Sequence, residues 1–183
     1  AAGDLVAPTA KAMGFPKIPG TLAPDGHINP LLQYDFGPHF DYLNISGVMD
    51  VQPPHVVREL PSLVPRVDAD GNELAGIRSP LLAAPLGTYV GWNATAAGFE
   101  KGEFGGNSGG YIPFAATRAE RLAKGDPRPS LEERYGNRAK YVALVKAAAD
   151  KAVAERFLLR EDADLLVAQA EASDVLAVNS AKK

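Results

Sequence analysis

The 183-residue sequence contains no cysteine. Disulfide bonds, thiolate metal sites and a cysteine nucleophile all need that side chain, so all three are excluded. The same absence leaves the redox compartment undecided. The location of the protein therefore stays open, with a soluble periplasmic or secreted chain among the alternatives.

The sequence also lacks a run of about 18 apolar residues, which a membrane-spanning helix requires. Its first residues do not combine a basic segment with an apolar one, so no signal peptide is recognised. It does not begin with methionine. We therefore expect a processed product, an expressed piece, or one part of a longer polypeptide.

Positive charge is scarce as well, with 19 Lys and Arg against 22 Asp and Glu, a net charge of -3. Nucleic-acid binding needs clustered Lys and Arg to contact phosphates. The nearest cluster is Arg118, Arg121 and Lys124, whose helical spacing is typical of a solvated helix face. We expect no nucleic-acid partner.

Proline is missing from the last third of the chain. All fifteen prolines lie at or before Pro129, and seventeen of the eighteen glycines precede it. Because these residues interrupt regular structure, we predict three segments of one structural unit. They are an irregular extended segment (1–62) that wraps around another body, a hairpin and glycine-rich region (63–129), and a helical layer (130–183).

The best strand pair in the chain is predicted around residues 68–72. An Asp-Gly pair between the apolar-rich runs 63–67 and 74–78 is a strong hairpin signal. Asp68, Asp70 and Asn72 also resemble the opening of a calcium loop. That loop needs glycine after the third ligand and glutamate at the twelfth position, where this chain has Gly71 before Asn72 and a serine, Ser79. The turn is therefore favoured over a metal site.

Four helices are predicted after residue 116. The first covers 117–124 and ends at Gly125, a usual helix-terminating residue. A short helix follows Ser130, which forms an S-x-x-E capping box with Glu133. Beyond it, apolar residues at helical spacing predict a long helix to about residue 157, and a further helix runs from about 161 to 173. These last two form an αα-hairpin.

Ser108 lies within a G-x-S-x-G match at residues 106–110. A nucleophile elbow of that form needs a strand before the serine and a helix after it, and neither flank fits. The chain order of a chymotrypsin-type protease is also present, with candidate partners His39 or His55 and Asp68 or Asp70. Too few strands are predicted for a double barrel. We therefore favour a loop without chemistry and keep Ser108 as the alternative nucleophile.

The remaining aromatic and histidine candidates give weaker signals. His27, His39 and His55 lie in predicted loops without regular spacing, so neither a metal site nor a cofactor is expected. Trp92 and Tyr89 suit a buried aromatic pair better than a ligand platform.

Several blocks together resemble a bacterial family of alpha/beta hydrolase domain-containing proteins. They occur in family order along nearly the whole chain and are residues 15–20, 34–38, 64–73, 75–78, 85–93, 111–114, 118–122 and 125–136. The similarity is to the C-terminal portion of such proteins. The resemblance implies a mixed α and β chain that forms the C-terminal part of an α/β-hydrolase-type fold.

The resemblance further implies a serine hydrolase whose nucleophile and triad histidine lie on a separate or cleaved upstream catalytic half. This chain alone is expected to be inactive and to carry no catalytic residue, while its partner hydrolyses a small ester or amide through an acyl-enzyme. Tyr89, Trp92 and Tyr111 are the residues expected to line the substrate pocket. The alternative is a non-catalytic interaction or assembly subunit with a hydrolase-like sequence.

Overall fold

The computed structural model describes residues 4–22, 31–44, 47–60, 63–95, 98, 101–102 and 108–177. Within these ranges the chain forms three antiparallel strand pairs and a set of helices. The strands are β1 (Val6–Ala7), β2 (Leu31–Asp35), β3 (His55–Leu60), β4 (Val64–Pro65), β5 (Gly87–Val90) and β6 (Gly110–Pro113). The helices are α1 (Pro80–Ala83), α2 (Arg118–Lys124), α3 (Leu131–Tyr135), α4 (Arg138–Ala154) and α5 (Arg160–Ala172).

The predicted hairpin around residues 68–72 is only partly formed. The turn is present, but its two flanks meet in a single bridge between Val67 and Glu73. Strand β4 pairs with the N-terminal β1 instead of with residues 74–78. The reason is burial, because β4 places Val64 in a small core with Ala7 and Met13, an apolar contact that favours this pairing. The short hairpin predicted from the sequence is therefore reduced to the turn and this one antiparallel bridge.

Strands β2 and β3 form an antiparallel ribbon that the sequence did not reveal. Leu31 lies opposite Leu60, and the register shifts by one residue between Gln33 and Tyr34. Strand β2 alternates between exposed and partly buried positions but buries no residue fully, and β3 is exposed at all but its last position. Neither strand therefore gives the strong apolar alternation that predicts a half-buried strand. The segment predicted to be irregular thus contains regular structure, while its wrapping around another body stays a prediction.

The predicted caps of α2 and α3 are confirmed. The Thr117 side chain accepts a hydrogen bond at the start of α2, and Gly125 ends it in the left-handed conformation with φ of 66°. Ser130 and Glu133 form the complete capping box of α3. Hydrogen bonds from Ser130 and from Arg121 lower the pKa of Glu133 to about 2. The carboxylate therefore stays ionised and holds the start of α3 at all but strongly acidic pH.

Helices α4 and α5 form the predicted αα-hairpin, and α4 covers the main apolar core. That core contains Ala84, Tyr135, Tyr141, Val145 and Ala170. Helix α4 ends at Ala154, three residues before the predicted end, because Arg156 adopts a left-handed backbone with φ of 64°. No described helix is both long and apolar enough to cross a membrane.

Candidate functional site

Two of the three predicted pocket residues face each other across the β5–β6 ribbon. Tyr89 and Tyr111 are directly opposed in the ladder, with ring centroids 5.2 Å apart. Burial raises the pKa of both phenols, so they are neutral at physiological pH. Each can offer an aromatic face to a ligand, but neither is a phenolate nucleophile.

Trp92 follows β5 and stacks on Phe15, with ring centroids 5.4 Å apart. The described ring contacts of Tyr89 and Trp92 are with Tyr111 and Phe15. The pair predicted between Trp92 and Tyr89 stays a prediction.

Tyr111 also closes the ribbon over a glycine. Its hydroxyl donates to the Leu86 carbonyl oxygen at 3.0 Å, which draws the ring across Gly87. A Cβ atom at Gly87 would lie 2.6 Å from the Tyr111 ring and 2.5 Å from the Ile112 carbonyl oxygen. Glycine is required at position 87. The Tyr111 side chain contributes to the fold through its contact with Gly87 and its hydrogen bond to Leu86.

Behind this ribbon lies a buried polar network, which we call the central polar cluster: Asp70, Asn72, Thr88, Asp126, Arg128 and Arg134. Arg128 is the centre of the cluster, with 1% of its side chain exposed. Its Nε and Nη2 atoms donate to the two carboxylate oxygens of Asp126 at 2.9 and 2.6 Å. It also donates to the Thr88 hydroxyl at 2.8 Å.

Arg128 completes its bonding with the backbone of β6. It donates to the carbonyl oxygens of Ile112 and Pro113 at 2.9 and 3.1 Å. Burial by itself would raise the pKa of Asp126, but hydrogen bonds and charge from Arg128 outweigh it and hold that pKa below its usual value. The pair is a structural ion pair with its donors satisfied.

The turn at residues 68–72 joins the same cluster. The Asn72 amide donates to the Gly87 carbonyl oxygen at 3.1 Å and accepts from the Tyr89 backbone at 2.8 Å. Asp70 pairs with Arg134, 64 residues away, at 2.5 Å. Sequence reasoning identified these residues as a turn. It missed that their side chains bond to residues far away in the sequence and so connect the turn to β5 and α3.

The same bonds decide between the turn and the calcium loop. Asp68 accepts backbone N–H groups from Asp70 and Asn72, both at 3.0 Å, and its other oxygen lies 3.3 Å from Arg78. The carboxylate oxygens therefore already have protein donors. Within the described ranges, no three His, Asp or Glu side chains are arranged to hold a metal ion.

We expect calcium to leave the melting temperature unchanged, because binding would require these carboxylates to give up Arg78 and Arg134. A thermal melt with and without calcium tests this expectation. A rise in melting temperature that disappears in Asp70→Asn would contradict it.

The alternative nucleophile Ser108 is exposed and leads directly into β6. An elbow requires a helix after the serine, so this geometry argues against it; residues 106 and 107 of the motif lie outside the described residues. The protease partners are not assembled either. Asp68 and Asp70 are bonded within the turn and to arginines, and His39 is paired with Asp50 instead.

The His39–Asp50 pair was missed by the sequence analysis. The Nδ1 atom of His39 lies 3.0 and 3.2 Å from the two Asp50 carboxylate oxygens. Hydrogen bonds from the His39 backbone and side chain lower the pKa of Asp50. Eleven residues separate the two, so no local spacing rule could have found them; His27, the remaining histidine, lies outside the described residues.

The alpha/beta hydrolase domain family matches residues 29–168 of this chain. The chain belongs to that family. Comparisons with curated proteins and with solved structures gave no significant match. As an alpha/beta hydrolase domain with mixed helices and strands, the chain is assigned to hydrolases in general. The predicted membership of an alpha/beta hydrolase domain family is confirmed.

Within this alpha/beta hydrolase domain, the polar groups divide by role. The central polar cluster is largely buried, and its side chains bond to one another and to the backbone except at Arg134 Nε, which is buried without a hydrogen-bond partner. These bonds suit the cluster to holding the ribbon and the turn together. Among the described residues, the Tyr89–Tyr111 surface and the His39 imidazole are accessible to a ligand.

Proposed function

We propose that this chain is the C-terminal part of a serine hydrolase that completes the fold and substrate pocket of a catalytic partner. The partner, a separate chain or a cleaved upstream segment, carries the nucleophile. The reaction is hydrolysis of a small ester, or of an amide, through an acyl-enzyme. The family assignment over residues 29–168 carries this proposal.

The described part of the chain has no nucleophile elbow, which supports the proposal that a partner carries the nucleophile. The strands described here form separate two-stranded pairs, whereas a nucleophile elbow sits between a sheet strand and a helix. Ser108 lacks that setting. An acyl-enzyme reaction therefore needs a serine outside the described residues, and we propose that the partner supplies it.

Tyr89, Trp92 and Tyr111 are the proposed pocket lining. Tyr89 and Tyr111 present adjoining rings on a ribbon fixed from behind by Arg128. Aromatic rings bind apolar acyl or alkyl groups. A ribbon held rigid by Arg128 suits a pocket wall, because less conformational entropy is lost when a ligand binds to side chains that are already ordered.

A fluorophosphonate probe, which labels activated serines, tests the proposal. We expect no labelling of this chain alone, and labelling of the partner in the native assembly. Ser108→Ala should leave turnover within a few-fold, because an exposed serine without a base and oxyanion donors is not activated. Labelling of Ser108 itself would replace the proposal with the protease alternative.

The second candidate is a non-catalytic interaction or assembly subunit. It is favoured by the large apolar side chains exposed on and near the β2–β3 ribbon, including Leu31, Leu43, Val56 and Val57. The same probe experiment separates the two functions. Labelling of neither chain in the native assembly supports the assembly subunit.

A further inference from the structure

A small apolar crevice lies between α1, α4 and α5 and has a volume of about 200 Å³. The residues that form its apolar wall include Pro80, Leu81, Leu86, Tyr141, Val145 and Leu166. None of the described residues that line it is charged. A charged group would lose its hydration there without gaining an opposite charge, so the crevice favours a neutral, apolar occupant.

Two buried alanines leave this space open. Ala84 ends α1 and Ala170 lies near the end of α5, and both line the crevice. A larger side chain at either position would fill it. An apolar cavity of about 150 Å³ holds one benzene molecule, so this crevice fits one ring or a chain of about six carbons. It is smaller than the pockets of about 300 Å³ or more that enclose a whole ligand.

Leu86 connects the crevice with the Tyr89–Tyr111 surface. The residue lines the crevice, and its carbonyl oxygen accepts the Tyr111 hydroxyl at 3.0 Å. The carbonyl oxygen of Pro85, one residue earlier, accepts the buried Tyr135 hydroxyl at 2.6 Å. The backbone at this wall is therefore held at two successive carbonyl groups. Little conformational entropy is lost when a ligand binds to a wall that is already ordered.

Tyr141 gives a second connection between the crevice and the tyrosine surface. Its ring meets that of Tyr135 edge-on, with centroids 5.2 Å apart. Burial raises the pKa of Tyr141, and the neighbouring Tyr89 phenol raises it further. The Tyr141 phenol is therefore neutral at physiological pH. A ligand that lies on the Tyr89–Tyr111 surface can thus place one of its groups in the crevice.

We propose that this crevice is a specificity subsite, which receives one neutral apolar group of the ester or amide substrate. This inference rests on the proposed function and narrows its substrate class to compounds that carry a group of about ring size. Leu86 is the reason for assigning the crevice to the substrate, because the same residue supports the proposed pocket wall through Tyr111.

The dependence of turnover on chain length tests the subsite. The native assembly is given esters of one alcohol with increasing acyl length, and esters of one acid with increasing alcohol length. In one of the two series, kcat/KM should rise about fourfold for each methylene buried and stop rising at about six carbons. A terminal carboxylate on that chain should lower kcat/KM by at least about 10-fold relative to the neutral ester of equal length.

Leu81→Ala tests whether the length preference arises in this crevice. Leu81 is exposed on α1, so its truncation widens the crevice with little effect on folding. The chain length with the highest kcat/KM should increase by about two carbons, because the wall loses an isopropyl group. Leu165→Ala is the matched control, since Leu165 is similarly exposed on α5 and lies outside the crevice. It should leave the length preference unchanged.

Equal turnover across both series overturns the inference, as does the same length preference in Leu81→Ala and the unaltered chain. Weaker association of the two chains in Leu81→Ala, with an unchanged length preference, would also overturn it, because an apolar side chain of the partner would then occupy the crevice. An assembly that hydrolyses none of the esters overturns the proposed function instead. The binding measurement that follows still decides whether the crevice accepts apolar groups.

This measurement uses the full chain and does not depend on activity. Butyl methyl ketone is a neutral probe of suitable size that cannot be hydrolysed. We expect it to shift the methyl NMR signals of the crevice residues Leu81, Leu86 and Leu166 in a saturable way, and to leave those of Leu165 unchanged. Succinate, which is charged, should shift none of them. Equal shifts at Leu165 and Leu166, or no shift at the crevice leucines, would exclude the subsite.

Discussion

Replacing Arg128 with methionine is expected to lower the free energy of unfolding by about 3–5 kcal/mol, the usual cost of removing one partner from a buried ion pair. Methionine keeps the approximate length of the side chain but donates no hydrogen bonds. The variant leaves the Asp126 carboxylate buried without its cation. It also leaves the carbonyl oxygens of Ile112 and Pro113 without this donor.

Two further variants identify the cause. Arg118→Met is the surface control, because the Arg118 side chain is 70% exposed and lies 3.7 Å from Glu133, and it should change stability by about 0.5 kcal/mol or less. In the double variant Asp126→Asn, Arg128→Met, no charge remains buried, so part of the loss should be recovered. Urea unfolding of the full chain measures all of these. Equal losses in the single and double variants would contradict a charge-based cost.

The pH dependence of the free energy of unfolding also tests the role of Arg128, because the Asp126 contribution should change with pH in opposite directions in the two chains. In the wild-type chain the folded pKa of Asp126 is lowered, so its contribution to stability is complete above its unfolded pKa of about 4 and is lost as the pH falls through the lower folded value. Without Arg128, burial raises that pKa. The Asp126 contribution to stability should then be present at acid pH and lost as the pH rises. Urea unfolding of the wild-type chain and of Arg128→Met at acid and at neutral pH measures both dependences.

The helical layer could be predicted from the sequence because its signals are local. Gly125 at the end of α2 and the box formed by Ser130 and Glu133 act within four residues, and the structure places both as expected. The apolar spacing of α4 is also a short-range pattern. Only the predicted C-terminal end of α4 was wrong, because no local sequence pattern predicts the left-handed conformation of Arg156.

Strand pairing was less predictable because one strand can pair with alternative partners, and the most favourable pairing depends on burial elsewhere in the chain. Val64 could pair forward with residues 74–78 or backward with β1, and the backward choice buries Ala7 and Met13. A sequence window centred on the turn cannot compare those options. The β2–β3 ribbon is harder still, since 19 residues separate its two strands, which end at Asp35 and begin at His55, and both remain mostly exposed.

The site followed the same rule. The turn residue Asp70 could be recognised, but its partner Arg134 lies 64 positions away, and Arg128 was not singled out from the sequence. His39 and Asp50 each looked like an ordinary loop residue. Their relation depends on the path of the loop at Gly37, where a Cβ atom would overlap Asp50 and no pattern in the sequence distinguishes a required glycine from a tolerated one.

Gly71→Ala is the second change with a large expected effect. Gly71 has φ of +83°, and a Cβ atom would lie 2.9 Å from Thr88 Cγ2, 3.1 Å from a Phe15 ring carbon and 3.2 Å from Pro16 Cδ. Thr88 cannot move aside easily, because its hydroxyl is held by Arg128 and by the Asp70 carbonyl oxygen. The added methyl group therefore forces the turn away from β5.

Gly76→Ala separates backbone strain from steric overlap. Gly76 has nearly the same φ, +85°, but a Cβ atom there would meet nothing within 4 Å. We expect Gly76→Ala to cost about 1 kcal/mol from its left-handed backbone alone. Gly71→Ala should cost about 2–4 kcal/mol, because overpacking adds about 1–3 kcal/mol to the same strain. Urea unfolding of both variants measures the difference. Equal losses would mean that the turn does not pack against β5 as described, since only contact with Thr88, Phe15 and Pro16 distinguishes the two glycines.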